Sequence, residues 1–598
     1  MSQEVSMTLA SLAGLPLAVD PYHPTLTPVG GSLTLSALVA TIPLLTVFFT
    51  LGVLRWKAHW AGLCSVLVAL VIAVAVWGMP AGRAVLAATQ GATFGLFPIM
   101  WIVFTAILLY QVTVVSGRFE DLRATFHLIS DDPRIQAIII AFCFGGLLEA
   151  LAGFGAPVAI TGVMLMAVGF SPLRAAAVVL LANTAPVAFG AIGTPIITAG
   201  TLTKIDYHEI GAYVGHQTPV VALFVPLMLV LMADGRRGVR QTWPVAVVVG
   251  VTFALAQWVS ATWFSVELTD IVASLAGLLA AVAFLRVWQP KGRDAALETL
   301  ALERQRELVA AGGPSAPTGP MGTEPTVTSE RDDSPYGVSA EELARRARAL
   351  TPARIVMALF PYLLVIAVFS VAKLVPAVKD FLTGTDRKIP WPGLDGHVLT
   401  VAGKVSTSTV YTLPWLSSPG TLLLLCSLVV AAVYRVSMST WAREAGATAH
   451  KMRFAFLTVA SVLALAYVMN LSGQTITIGV WIAGAGAAFA YLSPLLGWLG
   501  TAVTGSDTSA NALFATLQQT AAQKAGLDPT LLVAANTSGG VVGKMISPQN
   551  LTIAATAVGL VGREAAILRK VLPWSIGLIV LMCLLVGLQS SVLAWMLP

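Results

Sequence analysis

Residues 182–195 read ANTAPVAFGAIGTP, and residues 535–548 read ANTSGGVVGKMISP. In each, Asn is followed by Thr and then, seven positions beyond the Asn, by Gly (Gly190, Gly543). A hydroxyl residue and Pro close the motif eleven and twelve positions on (Thr194-Pro195, Ser547-Pro548). Both stretches are apolar yet crowded with Gly, Pro, Asn, Ser and Thr, as suits a helix interrupted inside a membrane. Upstream, Ser116-Gly117 ends one apolar run and Ser472-Gly473 another. Each is followed by a short amphipathic segment and a Gly-rich region, 134–171 and 493–524. An ordered set of matches at equal offsets marks one motif written twice.

The surroundings settle the solvent. Of 598 residues 11% are charged and 57% hydrophobic, whereas a soluble domain carries about 25% charge. The mean hydropathy is +0.82. These values exclude a soluble enzyme, a nucleic-acid binder and a disordered scaffold. Apolar runs near the ~20 residues that a crossing needs occupy 32–54, 59–77, 91–115, 210–232, 243–263, 267–287, 354–374, 421–434, 453–471 and 572–597. Residues 173–204 and 528–559 read as interrupted crossings, and 134–171 and 493–524 as hairpins that enter and leave on one face. The prediction is an all-α polytopic membrane protein of about 12 crossings plus two re-entrant helical hairpins, with both termini outside. Arg55 and Lys57 after the first run set the orientation. Of the 35 Lys and Arg, 26 then lie inside, 8 outside, and one, Lys544, in the membrane. Making either hairpin a full crossing inverts every later loop, so charge favours hairpins, although ordinary kinked helices would suit the composition equally.

This topology divides the chain into an extracytoplasmic segment 1–31, a membrane repeat 32–288, a cytoplasmic linker 289–352 and a second repeat 353–598 with an external loop 379–420. The polar linker is expected to be partly disordered, with a short amphipathic helix around 341–348. The two motif copies fall in opposite orientations, the mark of inverted-topology repeats whose substrate site lies where they meet.

The motifs suit an anion. A half-helix that starts within the membrane presents unpaired N–H groups and the positive end of its dipole. Gly153, Gly155 and Pro157 fit one hairpin tip, and Ser506, Asp507, Thr508, Ser509 and Asn511 the other. Asn183, Thr184, Thr194, Asn536, Thr537 and Ser547 supply polar groups at the expected helix breaks, either to the substrate or as plugs for the breaks themselves. Three ionisable residues stand in the core, where each charge costs at least ~2.5–3.5 kcal/mol: Glu149, Asp507 and Lys544. Their charges sum to −1, and adding one proton with one monocarboxylate leaves that sum unchanged. Glu149 and Asp507 are the candidate proton sites, and Lys544 the group that draws the carboxylate, with Asp507 and Lys544 paired when the carrier is empty. A cap role for Asp507 and a structural hydrogen bond for Glu149 stay open.

Other signals are weaker. His208-Glu209 and His216 do not match the spacing of a zinc site, and His216 reads as a structural His or a relay at the membrane edge. The four Cys lie far apart in apolar runs, and no cleavable signal peptide is evident. Trp56, Trp60, Trp77, Trp243, Trp258 and Trp263 look like interfacial anchors. No metal or cofactor is expected, the energy source being an ion gradient. The expected partners are a small monocarboxylate, protons and the lipid bilayer, with no nucleic acid, and the oligomeric state is left open. Sodium coupling through carbonyls near Asn183 and Asn536 is the alternative within transport. A membrane-embedded enzyme would need a nucleophile–base pair or metal cluster that the core does not offer.

Residues 142–149, 153–160, 183–193, 497–513 and 534–549 together resemble the bacterial L-lactate permease family, and the similarity runs from Ser36 to Pro598. The resemblance implies a proton-driven symporter of the cytoplasmic membrane for L-lactate, D-lactate and glycolate. It is also similar to the wider group of ion transporters with paired hairpins. The roles given to Glu149, Asp507 and Lys544 rest on charge and position alone.

Overall fold

The computed structural model describes residues 20–310 and 350–598, apart from 55, 128, 153, 154 and 562. Arg55, the tip residue Gly153 and the amphipathic segment 341–348 therefore lie outside the described residues. The described residues are helical nearly throughout. Among them ten helices are long and apolar enough to cross a membrane, or eleven if the bent pair Pro172–Ala182 and Val187–Thr203 counts as one span. The 42-residue helix Thr218–Val259 breaks its backbone regularity at Asp234 and Gly235, between the two runs expected at 210–232 and 243–263.

Helix starts follow a simple local code. Asp132, Ser171, Thr351, Ser418, Asp528 and Ser547 each stand at an N-cap directly before a proline in the first turn. The cap oxygen can accept from an orphan amide, and proline adds none. Outward faces expose large apolar side chains such as Leu67, Leu279 and Val580, as suits contact with lipid. Trp56, Trp60, Trp243 and Trp263 are exposed as anchors should be, but Trp77 is only 4% exposed. Its carbonyl accepts from the Tyr22 hydroxyl, so Trp77 is a packing residue and not an anchor.

At each expected hairpin two helices follow one another across a short turn. The first runs from Pro133–Gln136 through Ala137–Phe144 and Gly145–Ala152, turns, and returns as Ala156–Val168. The second is Phe489–Thr504, a turn at Gly505-Ser506, and Asp507–Ala525. Each is followed by a broken helix: Pro172–Ala182 with Gly190–Thr203, and Pro529–Gly543 with Pro548–Ala557. The packing crosses over between halves. Gly190–Thr203 packs on Asp507–Ala525, and Pro548–Ala557 packs on Ala156–Val168. In the second half, helix Phe489–Thr504 meets Pro529–Gly543 backbone to backbone. A Cβ at Gly497 would fall 1.8 Å from the Asn536 carbonyl oxygen, and one at Gly539 2.0 Å from that of Pro494. Small residues spaced this way permit close helix approach in a membrane.

The polar segments have structure of their own. The loop after Pro376–Gly384 forms a two-stranded antiparallel sheet, Arg387–Pro390 with Val410–Leu413, and Tyr22 bonds to His397 and Leu399. The N-terminal segment and this loop thus share one face. At its start the linker forms a helix, Arg293–Ala310, whose Glu307 accepts from Ser171 at 2.7 Å. Buried Arg134 ties the foot of the first hairpin to Asp132, Asp234, Gln241 and the Lys291 carbonyl.

Candidate functional site

The breaks and one tip converge on a small cavity of about 30 Å³, lined by Glu149, Val187, Gly190, Ala191, Pro195, Gly505, Ser506, Asp507, Thr508 and Lys544. That is room for roughly two water molecules. A three-carbon acid needs the lining elements to part. At the centre Lys544 Nζ donates to Glu149 Oε1 at 2.5 Å, with both side chains under 10% exposed. Asn183 Nδ2 donates to Glu149 Oε2 at 2.9 Å. Glu149 comes from the first hairpin, Asn183 from the end of Pro172–Ala182, and Lys544 from the break in the second broken helix.

Local backbone explains how each group arrives. Lys544 starts the 3₁₀ turn Lys544–Ile546, and its own carbonyl accepts from Ser547 Oγ and Asn550 Nδ2. At the same offset in the first copy stand Ala191, Ile192 and Gly193, all in the left-handed region at φ 44°, 57° and 70°. A β-branched residue there is a strained outlier, and such strain concentrates at functional sites. Glycines bring the acids close. A Cβ at Gly190 would fall 2.9 Å from Glu149 Oε1, and one at Gly540 1.9 Å from Asp507 Oδ1.

Asp507 lines the cavity but is neither the cap of its helix nor the partner of Lys544. The cap of its helix is Ser506, which accepts from Ser509 N, and Asp507 is the first helical residue. Its Oδ1 accepts from Thr501 at 3.4 Å, while Oδ2, fully buried, has no hydrogen-bond partner. The expected Asp507–Lys544 pair is not formed, because Lys544 is engaged by Glu149.

The remaining candidates separate into two groups. Ser506 and Thr508 line the cavity. Ser506 also borders, with Ser509, a larger cavity of about 1120 Å³ that runs to Lys57 and His59. The second tip thus stands between the two spaces. Elsewhere the polar groups bond to one another or to the backbone. Asn536 and Thr537 were expected at a break but lie inside the continuous helix Pro529–Gly543, whose break comes eight residues later. Their side chains close a network in which Asn536 donates to Asn511 at 2.9 Å, and Gln518 to Asn536 at 3.3 Å. Asn511 donates to Thr537 at 2.9 Å and reaches across to the Pro195 carbonyl at 3.1 Å. Thr184 and Thr194 turn their hydroxyls back to Leu181 and Ala191, and Gly155 packs on Ile553. His216 has both ring nitrogens engaged, by Ala212 O and by Trp258 Nε1 at 2.8 Å each.

Two buried acids were missed. Glu267 accepts from Tyr207 and Ser265 at 2.8 Å each. Asp270, the second residue of helix Thr269–Val287, is wholly buried, and neither carboxylate oxygen has a partner within hydrogen-bond geometry. The signal was present in the sequence, but both residues sit at the edge of an apolar run, where an acid passes for an interfacial group.

Paired helices, broken helices and a buried ion pair at their meeting point, with ten helices fit to cross a bilayer among the described residues, define a multi-pass transport protein of the membrane. The chain belongs to the L-lactate permease family, which matches residues 36–593. It is 40% identical to the L-lactate permease of Bacillus subtilis over 96% of this chain and 99% of that one. Its identity to the Escherichia coli glycolate permease GlcA is 39%, over 95% of this chain and 98% of that one. Among solved structures, Neisseria gonorrhoeae MtrF is similar over 92% of this chain and 97% of its own, at 14% identity and a TM-score of 0.46.

Proposed function

We propose that the protein is a proton-coupled symporter of L-lactate and related 2-hydroxy monocarboxylates, D-lactate and glycolate among them, and not an enzyme. The observation that carries this reading is the buried Glu149–Lys544 pair at 2.5 Å. A buried ion pair is tolerable, whereas either partner alone is costly by about 3–5 kcal/mol. When a substrate carboxylate takes Lys544, Glu149 loses its countercharge and must bind a proton. One proton therefore enters with one anion, and the net charge of the site is unchanged. Backbone amides at the second tip and the hydroxyls of Ser506 and Thr508 are placed to orient the substrate.

The same reading places the two halves as inverted repeats, with the paired helices as re-entrant hairpins. Its support is the crossed packing, in which each broken helix leans on the hairpin of the other half. The test is uptake of labelled L-lactate into proteoliposomes, with an inward proton gradient and no sodium, then with sodium and no proton gradient. Accumulation above equilibrium in the first case alone is expected. Accumulation that requires sodium would overturn the coupling, and no accumulation under either gradient would overturn the substrate.

A further inference from the structure

Helix Thr269–Val287 runs antiparallel to the first hairpin arm. A Cβ at Gly277 would meet Cys143 Sγ at 3.5 Å, and one at Gly146 would meet Ser274 Oγ at 2.3 Å. Moving one turn further along both helices brings Asp270 level with Glu149, and Asp270 feels the charges of Glu149 and Lys544. These are the titratable groups that face it, with Cys143 about two turns away.

Asp270 is not satisfied in the way a structural acid is. Glu267, one turn earlier, holds two hydroxyl donors, whereas both oxygens of Asp270 lack one. The polar groups around it are also incomplete. Ser274 Oγ, one turn on, has no partner. Gln257 is the side chain that reaches toward Asp270 as a hydrogen-bond donor, but its amide is already engaged by the Ala185 carbonyl at 3.1 Å and its Oε1 has no donor. Buried polar groups are normally paired, and an unpaired carboxylate in a dry core is the costliest case. A proton removes the charge and supplies the missing donor for a neighbouring acceptor. Among the described residues, this is a carboxyl whose surroundings suit the acid form, next to the one that must gain a proton when substrate binds.

We propose that Asp270 is the immediate proton donor to Glu149. This assignment rests on the symport reading above. As Lys544 leaves Glu149 for the substrate carboxylate, the O–H bond of Asp270 breaks and the proton passes to Glu149. Asp270 is then reprotonated from the aqueous side that supplies the driving protons. One proton is taken up per cycle, and no other reactant is consumed. Asp270 touches neither substrate nor Lys544 and is a relay residue.

The experiment is Asp270→Asn in proteoliposomes, read in two modes. Proton-driven net uptake requires Glu149 to be protonated and deprotonated in each cycle. Exchange of labelled for unlabelled lactate proceeds with the proton left in place. D270N is expected to slow net uptake at least ten-fold and to leave exchange within about two-fold of the unaltered protein, while Asp270→Glu restores net uptake. Net uptake by D270N at the unaltered rate overturns the proposal. So does equal loss of both modes in a variant whose melting temperature still rises on lactate binding. If D270N does not fold, Asp270→Ser makes the same comparison with a smaller uncharged side chain. Should the unaltered protein itself fail to accumulate lactate under a proton gradient, the symport reading falls; unaltered accumulation with an unaffected variant removes only the relay.

Discussion

Replacing Glu149 by Gln tests the charge exchange at the centre of the site. The two side chains have the same shape, so the amide can still accept from Lys544, which now lies 2.5 Å from Glu149 Oε1. What is lost is the charge and the ability to bind a proton. A hydrogen bond to a charged group contributes ~1.5–3 kcal/mol and a neutral one ~0.5–1.5. Lys544 keeps a hydrogen bond but loses its countercharge, a cost of up to about 3–5 kcal/mol, and lactate, which restores the countercharge, should bind at least about ten-fold tighter. The pH dependence changes as well. On the symport reading lactate binding in the unaltered protein takes up one proton, so apparent affinity should fall as pH rises, through linkage. In E149Q it should be flat. With a pH difference of one unit, one-to-one symport supports about tenfold accumulation, equal to about 1.4 kcal/mol. The variant should not accumulate lactate and should retain exchange. Uptake, exchange and lactate binding across a pH series measure all three. Tenfold accumulation by E149Q, or a retained pH slope in binding, would refute the charge exchange.

Three further outcomes follow from the same geometry. Lys544→Gln should abolish lactate binding and destabilise the detergent-solubilised protein by about 3–5 kcal/mol at neutral pH, since it strands Glu149. The double variant with E149Q should recover most of that stability, and a thermal double-mutant cycle checks it. Gly540→Ala would force a Cβ to within 1.9 Å of Asp507 Oδ1 and should cost about 1–3 kcal/mol; adding Asp507→Ala should relieve it, as melting temperatures would show. Asn511→Ala takes both side-chain bonds from Thr537 and one bond each from Asn536 and the Pro195 carbonyl, and a buried group left unpaired costs about 1–3 kcal/mol. It should lower stability well before it alters lactate affinity, and thermal melts beside binding isotherms separate the two effects.

The sequence was informative where backbone chemistry is local. Hydroxyl or Asp followed by Pro announces a helix start, and Gly505-Ser506 turns where Gly and a capping residue permit it. The repeated offsets led to the strained turn at 191–193 and the 3₁₀ turn at Lys544–Ile546, which stand at matching positions. It was less informative about where side chains point. Asn536 belongs to the motif as clearly as Asn183, yet one is locked in a satisfied network while the other holds Glu149. Nothing in spacing along one helix says which neighbour will face it. The partner of Lys544 was missed for the same reason. Glu149 is 395 positions away, and no local pattern ranks it above Asp507. Asp270 was hidden by its place at the end of an apolar run, because burial there depends on the hairpin packed over it.

The position of the ion pair explains how occupancy of so small a site can bear on the whole molecule. Glu149 belongs to the first half of the chain and Lys544 to the second, so their bond joins the halves in the buried interior. Around it the contacts are crossed, with Asn511 of the second half bonded to the Pro195 carbonyl of the first and Gly155 of the first packed on Ile553 of the second. A carboxylate that replaces Glu149 on Lys544 transfers that electrostatic tie from the other half to the substrate. The halves are then held by packing and neutral hydrogen bonds, which a sliding motion can exchange one for another at little net cost, whereas a buried ion pair cannot be pulled apart without leaving charge behind. Substrate without a proton strands Glu149, and a proton without substrate strands Lys544. Both half-loaded states carry an unpaired buried charge, and both are therefore poorly populated. Strict coupling then requires no separate gate for each ligand, since the same unpaired charge penalises either leak.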